Sequence, residues 1–205
     1  MKTKTSTRRY RQNARADAAK ATAERILSAF MTRLSSEWFD AITLESVAND
    51  AGVTVQTVVR RFGGKEGLLE AARGKLALEV KQRRSTTPGD IDKAIDQLIG
   101  DYEAIGDFVI RLLAQEDRYP VIRTITNHGR KQHRDWLSEV FSPQLTSAKG
   151  ALRQRRLDML VAASDVYIWK LVRIDMKRPV THYRTMLKSL INGALLDKCA
   201  QVSQG

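Results

Sequence analysis

Cysteine is almost absent from this chain of 205 residues. Cys199 stands alone, so no disulfide framework can form, and a reducing cytosol is the expected compartment. Long uncharged runs are missing too. The longest, 51–59 and 140–148, each span nine residues, against about 20 apolar residues for a helix that crosses a bilayer. The basic start Met1-Lys2-Thr3-Lys4 is followed by no apolar segment, so no secretory leader is expected. Histidine is scarce: His128 and His133 are five apart, which is not the i, i+4 pairing of a helical metal site, and His182 is isolated. No cysteine cluster, nucleophile elbow or glycine-rich phosphate loop is present, and Gly63-Gly64-Lys65 lacks the first half of a Walker loop. Secreted, membrane-spanning and disulfide-stapled classes are excluded, and neither catalysis, a metal nor a cofactor is expected. A chain of this length can bury roughly 70% of its unfolded surface without a staple.

What is present is positive charge, unevenly placed. The net charge is +12. Residues 1–84 carry 17 Lys/Arg against 9 Asp/Glu, a net +8, and the other 121 carry 18 against 14, a net +4. The sharpest concentration lies in 1–20, where Lys2, Lys4, Arg8, Arg9, Arg11, Arg15 and Lys20 face only Asp17. So basic and apolar-poor a segment cannot build a core, and residues 1–17 are expected to form a disordered arm when free. Such an arm either lies along phosphates or in a minor groove through Arg8, Arg9 and Arg11, or merely solubilises the chain.

Helical periodicity runs nearly throughout. Ala23, Ile26, Leu27, Phe30, Met31 and Leu34 trace one apolar stripe, and Leu68, Leu69, Ala72, Leu76 and Val80 a second. Ser85-Thr86-Thr87-Pro88-Gly89 breaks the pattern, and Asp90 can cap a helix that keeps its period to about Gln115. Pro120 suits a first helical position. Short helices are expected near 120–127 and 130–141, then longer ones over 148–176 and 180–200. Alternating strand patterns are scarce, so the fold class is all-α.

The most specific signal lies in 43–62. Thr43 can cap a helix of about two turns, with Glu45 in its first turn. Gly52 stands where that helix must end in a left-handed residue, and Thr54 can cap a second short helix. Leu44, Val47, Val53, Val58 and Phe62 supply the apolar seam, with Ala48 small enough for close approach. This is the pattern of a helix-turn-helix, whose second helix enters the major groove; an ordinary helical hairpin with a solvated polar face shares it. Read as a DNA-binding element, the second helix turns Val55, Gln56, Val59 and Arg60 outward. Gln56 donates and accepts together, as bidentate recognition of adenine requires, and Val55 and Val59 suit thymine methyls. Thr54, Thr57, Arg60 and Arg61 suit phosphates, which fix register.

Taken together, residues 20–75 resemble the DNA-binding domain of the TetR family of bacterial repressors. The resemblance rests on an amphipathic helix, Trp38-Phe39-Asp40-Ala41-Ile42-Thr43, the helix-turn-helix, and Phe62-Gly63-Gly64-Lys65-Glu66-Gly67-Leu68-Leu69. It implies a three-helix DNA-binding domain (18–64) followed by a ligand-sensing and dimerisation domain (65–205), with 65–84 as the connecting helix. It also implies that Lys65, at the start of that helix, contacts a phosphate; a helix N-terminus plus an ammonium is a ready anion site. Three positions depart from the family pattern. Val58-Val59 replaces an aromatic pair, so Val59 cannot make a tyrosine's phosphate bond. Arg61 stands for the usual Tyr or His. Trp38 stands where glycine closes the first helix, and a bulky residue at positive φ is uncommon.

By the same resemblance the last two helices pair with those of a second copy. Leu160, Ile168, Leu171, Leu187, Leu190, Ile191 and Leu195 are the expected interface residues. An inducer pocket in the central bundle has Tyr102, Phe108, Trp136, Phe141 and Trp169 as candidate lining, each equally suited to plain core. Gly100 and Gly106 lie inside a helix at a cost of about 1 kcal/mol each, consistent with close packing, a kink or ligand approach. The expected function is a cytoplasmic, homodimeric regulator, a repressor of transcription that binds pseudo-palindromic double-stranded DNA and is released by a small molecule. The alternatives are an architectural or constitutive DNA-binding protein without an inducer, and an interaction protein whose basic face meets another acidic partner.

Overall fold

The computed structural model describes the backbone of residues 4–196 and the side chains of 13–196. Among these residues all regular structure is helical. The chain divides into two compact units, residues 1–76 and 77–205. The division falls inside the fourth helix rather than at 64/65. Cys199 lies outside the described residues.

The first unit holds α1 (Lys4–Ser36), α2 (Leu44–Ala51), α3 (Val55–Phe62) and the start of α4 (Lys65–Arg83). The helix α1 reaches back to Lys4, so residues 4–17, expected as a disordered arm, continue a 33-residue helix. No glycine or proline precedes Gly52, and α1 is rich in Ala and Arg, both good helix formers. The side chains of Arg8, Arg9 and Arg11 lie outside the described residues. Nothing buries residues 13–18. Further along, Ile26, Phe30 and Leu34 are fully enclosed against α2, the stripe expected from their spacing. Arg33 adds a polar tie: its Nε donates to Asp50 Oδ2 at 2.6 Å and its Nη2 to Asp50 Oδ1 at 3.1 Å. That bidentate bond holds the Asp50 carboxyl below its usual range. Trp38 escapes the strain its position suggested. The helix closes two residues earlier, at Ser36, and Lys177 is the one described non-glycine residue at positive φ.

The second unit completes α4 and adds α5 (Ile91–Leu113), α6 (Pro120–Val140), α7 (Ser142–Leu145), α8 (Gly150–Ala163), α9 (Val166–Trp169), a π-helical segment (Lys170–Asp175) and α10 (Val180–Leu196). Two expectations need correction. Residues 120–140 form one helix, because Ile122, Ile125, Leu137 and Val140 keep a single buried face through the solvent-facing Gly129. The span 148–176 is broken at Ser164-Asp165. The Ser164 hydroxyl bonds back to the Leu160 carbonyl at 2.7 Å, and Asp165 caps α9 by accepting from the Tyr167 N–H at 2.8 Å. The core joins α5, α6, α8, α9 and α10, with Ile95, Leu98, Leu137, Phe141, Leu160, Tyr183, Leu187 and Ile191 almost wholly enclosed. Gly106 explains itself here: a Cβ would lie 2.5 Å from the Trp169 ring, which rests on the α5 backbone. Gly100 has open space around it and no such reason.

Candidate nucleic-acid interface

The helix-turn-helix is assembled by caps before it is assembled by packing. Thr43 forms a reciprocal capping box with Ser46: the Ser46 N–H donates to Thr43 Oγ1 at 3.1 Å, and the Thr43 N–H to Ser46 Oγ at 3.3 Å. Gly52 ends α2 at φ 63°. Thr54 then caps α3, accepting from the Thr57 N–H at 3.3 Å, while the two hydroxyls lie 3.0 Å apart. The partner Ser46 was missed in the sequence, although its position three residues after Thr43 carries the signal. At the other end, Gly63 closes α3 at φ 76°. Gly67 is required by closeness, since a Cβ there would sit 1.7 Å from the Phe62 carbonyl oxygen. The first turn of α4 therefore abuts the end of α3.

With Val58 fully buried, α3 is fixed in rotation about its own axis. Gln56 and Arg60 are exposed, and Val59 keeps 43% of its surface. Val55, Thr57 and Arg61 are half-buried, and Arg61 Nε makes no hydrogen bond among the described residues. The outward face of α3 thus presents an amide, an apolar group and a guanidinium together on one side of a short helix.

Lys65 begins α4. Its ammonium lies 4.2 Å from the centroid of the Phe39 ring. Burial lowers its pKa, and Asp40 opposes that shift. A cation at a helix N-terminus also meets the positive end of the dipole. Burial and the helix dipole thus both weigh against the ammonium, and Asp40 is the acid that offsets them.

The remaining expected residues are scattered. Among the pocket candidates, Tyr102, Phe141 and Trp169 are enclosed in the core, and Phe108 is half-buried. Only Trp136 of the five lines the cleft of about 310 Å³ between the end of α4 and α6, together with Val80, Lys81, Arg84, Glu139 and Val140. Among the interface candidates, Leu160, Leu187 and Ile191 are enclosed within their own unit, which leaves them nothing to offer a second chain. Ile168 and Leu195 are half-buried. Leu171 and Leu190 are exposed, and Tyr167, Ile174, Met176, Val180 and Leu196 add apolar surface on the same terminal elements. No group of His, Cys, Asp or Glu suited to a metal occurs among the described residues, and no described helix is long and apolar enough to cross a membrane.

Residues 26–72 match the sequence profile described as "Bacterial regulatory proteins, tetR family". The match spans the packed part of α1, the helix-turn-helix and the first turns of α4. No curated protein matches the chain. Among solved structures, a transcriptional regulator from Rhodococcus sp. Rha1 superposes with a TM-score of 0.65 at 19% identity, over 84% of this chain and 95% of that one. A TetR-family transcriptional regulator from Rhodococcus sp. gives 0.65 at 16% identity, over 85% and 98%. GusR from Salmonella enterica gives 0.64 at 18% identity, over 83% and 95%. At these identities the structures speak for the fold, which extends through both units. Helix order, caps and profile agree over residues 26–72, and that segment is similar to the helix-turn-helix domain of the tetR family of bacterial regulatory proteins.

Proposed function

We propose that the protein represses transcription as a cytoplasmic homodimer, laying α3 of each subunit into successive major grooves of a pseudo-palindromic operator and releasing it when a small molecule binds. The observation that carries this reading is the outward face of α3, where Gln56, Val59 and Arg60 stand free while Val58 is locked inside. Gln56 reads a base edge, and Val55 and Val59 meet thymine methyls. Thr43, Thr54, Thr57, Arg60, Arg61 and Lys65 hold phosphates, and Arg8, Arg9 and Arg11 extend that contact along the duplex. Reading heads of a dimer meet grooves about 34–36 Å apart or at a longer spacing. The exposed Leu171 and Leu190, with Ile174 and Met176 beside them in sequence, are the surface offered to the second copy. Ligand release needs a molecule that prefers the conformation unable to bind DNA.

Selection of bound fragments from random duplex DNA tests the reading. A two-fold symmetric motif, preferred about 10³–10⁷-fold over random DNA, is the expected result. Binding without sequence preference would leave an architectural protein instead, and indifference to every duplex in dilute buffer would end the proposal.

A further inference from the structure

The C-terminal turn of α4 is tied into the second unit by a buried polar run that no part of the reading above uses. Its centre is Asp101 on α5, whose side chain has no exposed surface. Arg83 Nε donates to Asp101 Oδ1 at 2.6 Å, and Arg84 Nε donates to Oδ2 at 2.8 Å. Arg84 Nη1 also lies 3.0 Å from His133 Nδ1 on α6, and His133 Nε2 lies 3.0 Å from Ser164 Oγ. A guanidinium has no acceptor, so His133 Nδ1 accepts and Nε2 carries the hydrogen. That hydrogen goes to Ser164, whose hydroxyl donates in turn to the Leu160 carbonyl. The run thus has one direction throughout. Burial, with the Arg84 charge next, pushes the His133 pKa down to about 3 and keeps the ring neutral.

The neighbours of Asp101 on α5 extend the same ties. The Tyr102 hydroxyl donates to the Ser164 carbonyl at 2.9 Å. Glu103 accepts from Trp169 Nε1 at 2.7 Å and pairs with Arg173 of the π-helical segment through two bonds of 2.8 Å. The Trp136 indole N–H donates to the Arg84 carbonyl at 3.0 Å, and the Arg84 guanidinium lies 5.2 Å from its ring and 5.3 Å from that of Tyr102. Arg83 also lies 3.7 Å from Glu79 Oε2, so the two guanidiniums face two carboxylates, of which only Asp101 is fully buried. For stability alone, well-packed apolar residues would serve as well or better. Directional bonds instead select one placement of the last turn of α4, and α4 is the helix that begins at Lys65.

We propose that Asp101, acting through Arg83 and Arg84, is a positioning residue for operator binding, and that His133 is the second leg of the same clamp. Its hold on the end of α4 sets the conformation competent for the operator. The inference rests on the DNA-binding reading and is tested separately from it. Four full-length proteins are compared for affinity toward the selected operator and toward random duplex DNA at low salt: wild type, Asp101→Asn, His133→Leu and His133→Gln. Thermal unfolding is followed for each. Asp101→Asn keeps the volume and removes the charge. The glutamine amide can accept from Arg84 and donate to Ser164, whereas leucine can do neither. Expected is about a tenfold loss of operator affinity for Asp101→Asn and His133→Leu. Random-DNA binding stays within about twofold of wild type, and His133→Gln stays close to wild type on both DNAs.

A clamp that serves folding alone would lower the unfolding temperature of Asp101→Asn and leave operator affinity at 20 °C unchanged, which would overturn the proposal. Equal operator affinities for the leucine and glutamine variants would overturn it as well, and this pair decides the matter should Asp101→Asn not fold. Failure of wild type to bind any duplex would instead strike the DNA-binding reading itself.

Discussion

Gln56 and Lys65 belong to the same face by reading but differ in what their loss should change. Gln56→Ala should cost about 1–3 kcal/mol at one base pair and relax discrimination there, because only a base-edge contact is removed. Affinities for an operator series substituted one pair at a time will check this; uniform losses across the series would reassign Gln56 to the backbone. Lys65→Ala should weaken all sequences alike and flatten the salt slope by about one unit, read from binding titrations over a range of salt. His133 supplies a prediction of another kind. Its folded pKa of about 3 lies below the ordinary value of 6.5, so the unfolded chain takes up a proton first as pH falls. Its contribution to stability is complete above about pH 6.5 and is lost progressively toward pH 3. Melting temperatures of wild type should therefore fall more between pH 7 and pH 5 than those of His133→Gln, and parallel curves would refute the assignment.

Among the elements, caps were far more legible than interruptions. Thr43, Gly52 and Thr54 carry their roles in residue type and spacing, and the structure uses all three. Thr54→Ala should lower stability by about 1 kcal/mol, measured by denaturant unfolding, and should impair DNA binding beyond that loss because the N-terminus of α3 frays. The break at Ser164-Asp165 is capped locally by Asp165, but the Ser164 carbonyl is taken up by the Tyr102 hydroxyl, 62 residues away in the chain. Local pattern cannot show such a partner. Gly129 misled in the opposite sense, since the apolar face of α6 runs past it. Gly106 could be marked as unusual in the sequence but not explained until Trp169 lay against it. Gly106→Ala should cost about 1–3 kcal/mol by overpacking, seen as a lower unfolding temperature, because the indole cannot retreat without giving up its bond to Glu103.

For the whole molecule, the all-helical fold and its helix order were readable from periodicity and resemblance, whereas the choice of which leucines face outward was not. Leu187 and Leu190 both fit one stripe of α10, yet the first is fully enclosed and the second keeps 42% of its surface. Helical spacing shows that a face is apolar and does not say which neighbour covers each part of it. The pairing surface is tested by Leu171→Asp combined with Leu190→Asp. Sedimentation should show a monomer whose unfolding temperature is little changed at fixed low concentration, with operator affinity lost because one head grips only a half-site. An intact dimer would place the interface elsewhere.

Three indoles are spread so that each unit carries its own. Trp38, with 49% of its surface open, is in the first, while Trp169, with 3%, and Trp136 are in the second. Light emission should accordingly contain a red-shifted, acrylamide-quenchable part from the DNA-binding head and a blue-shifted, shielded part from the remainder. With Trp38→Phe and Trp169→Phe as references, the melting of one half can be watched optically while the other is still intact, and no label need be attached.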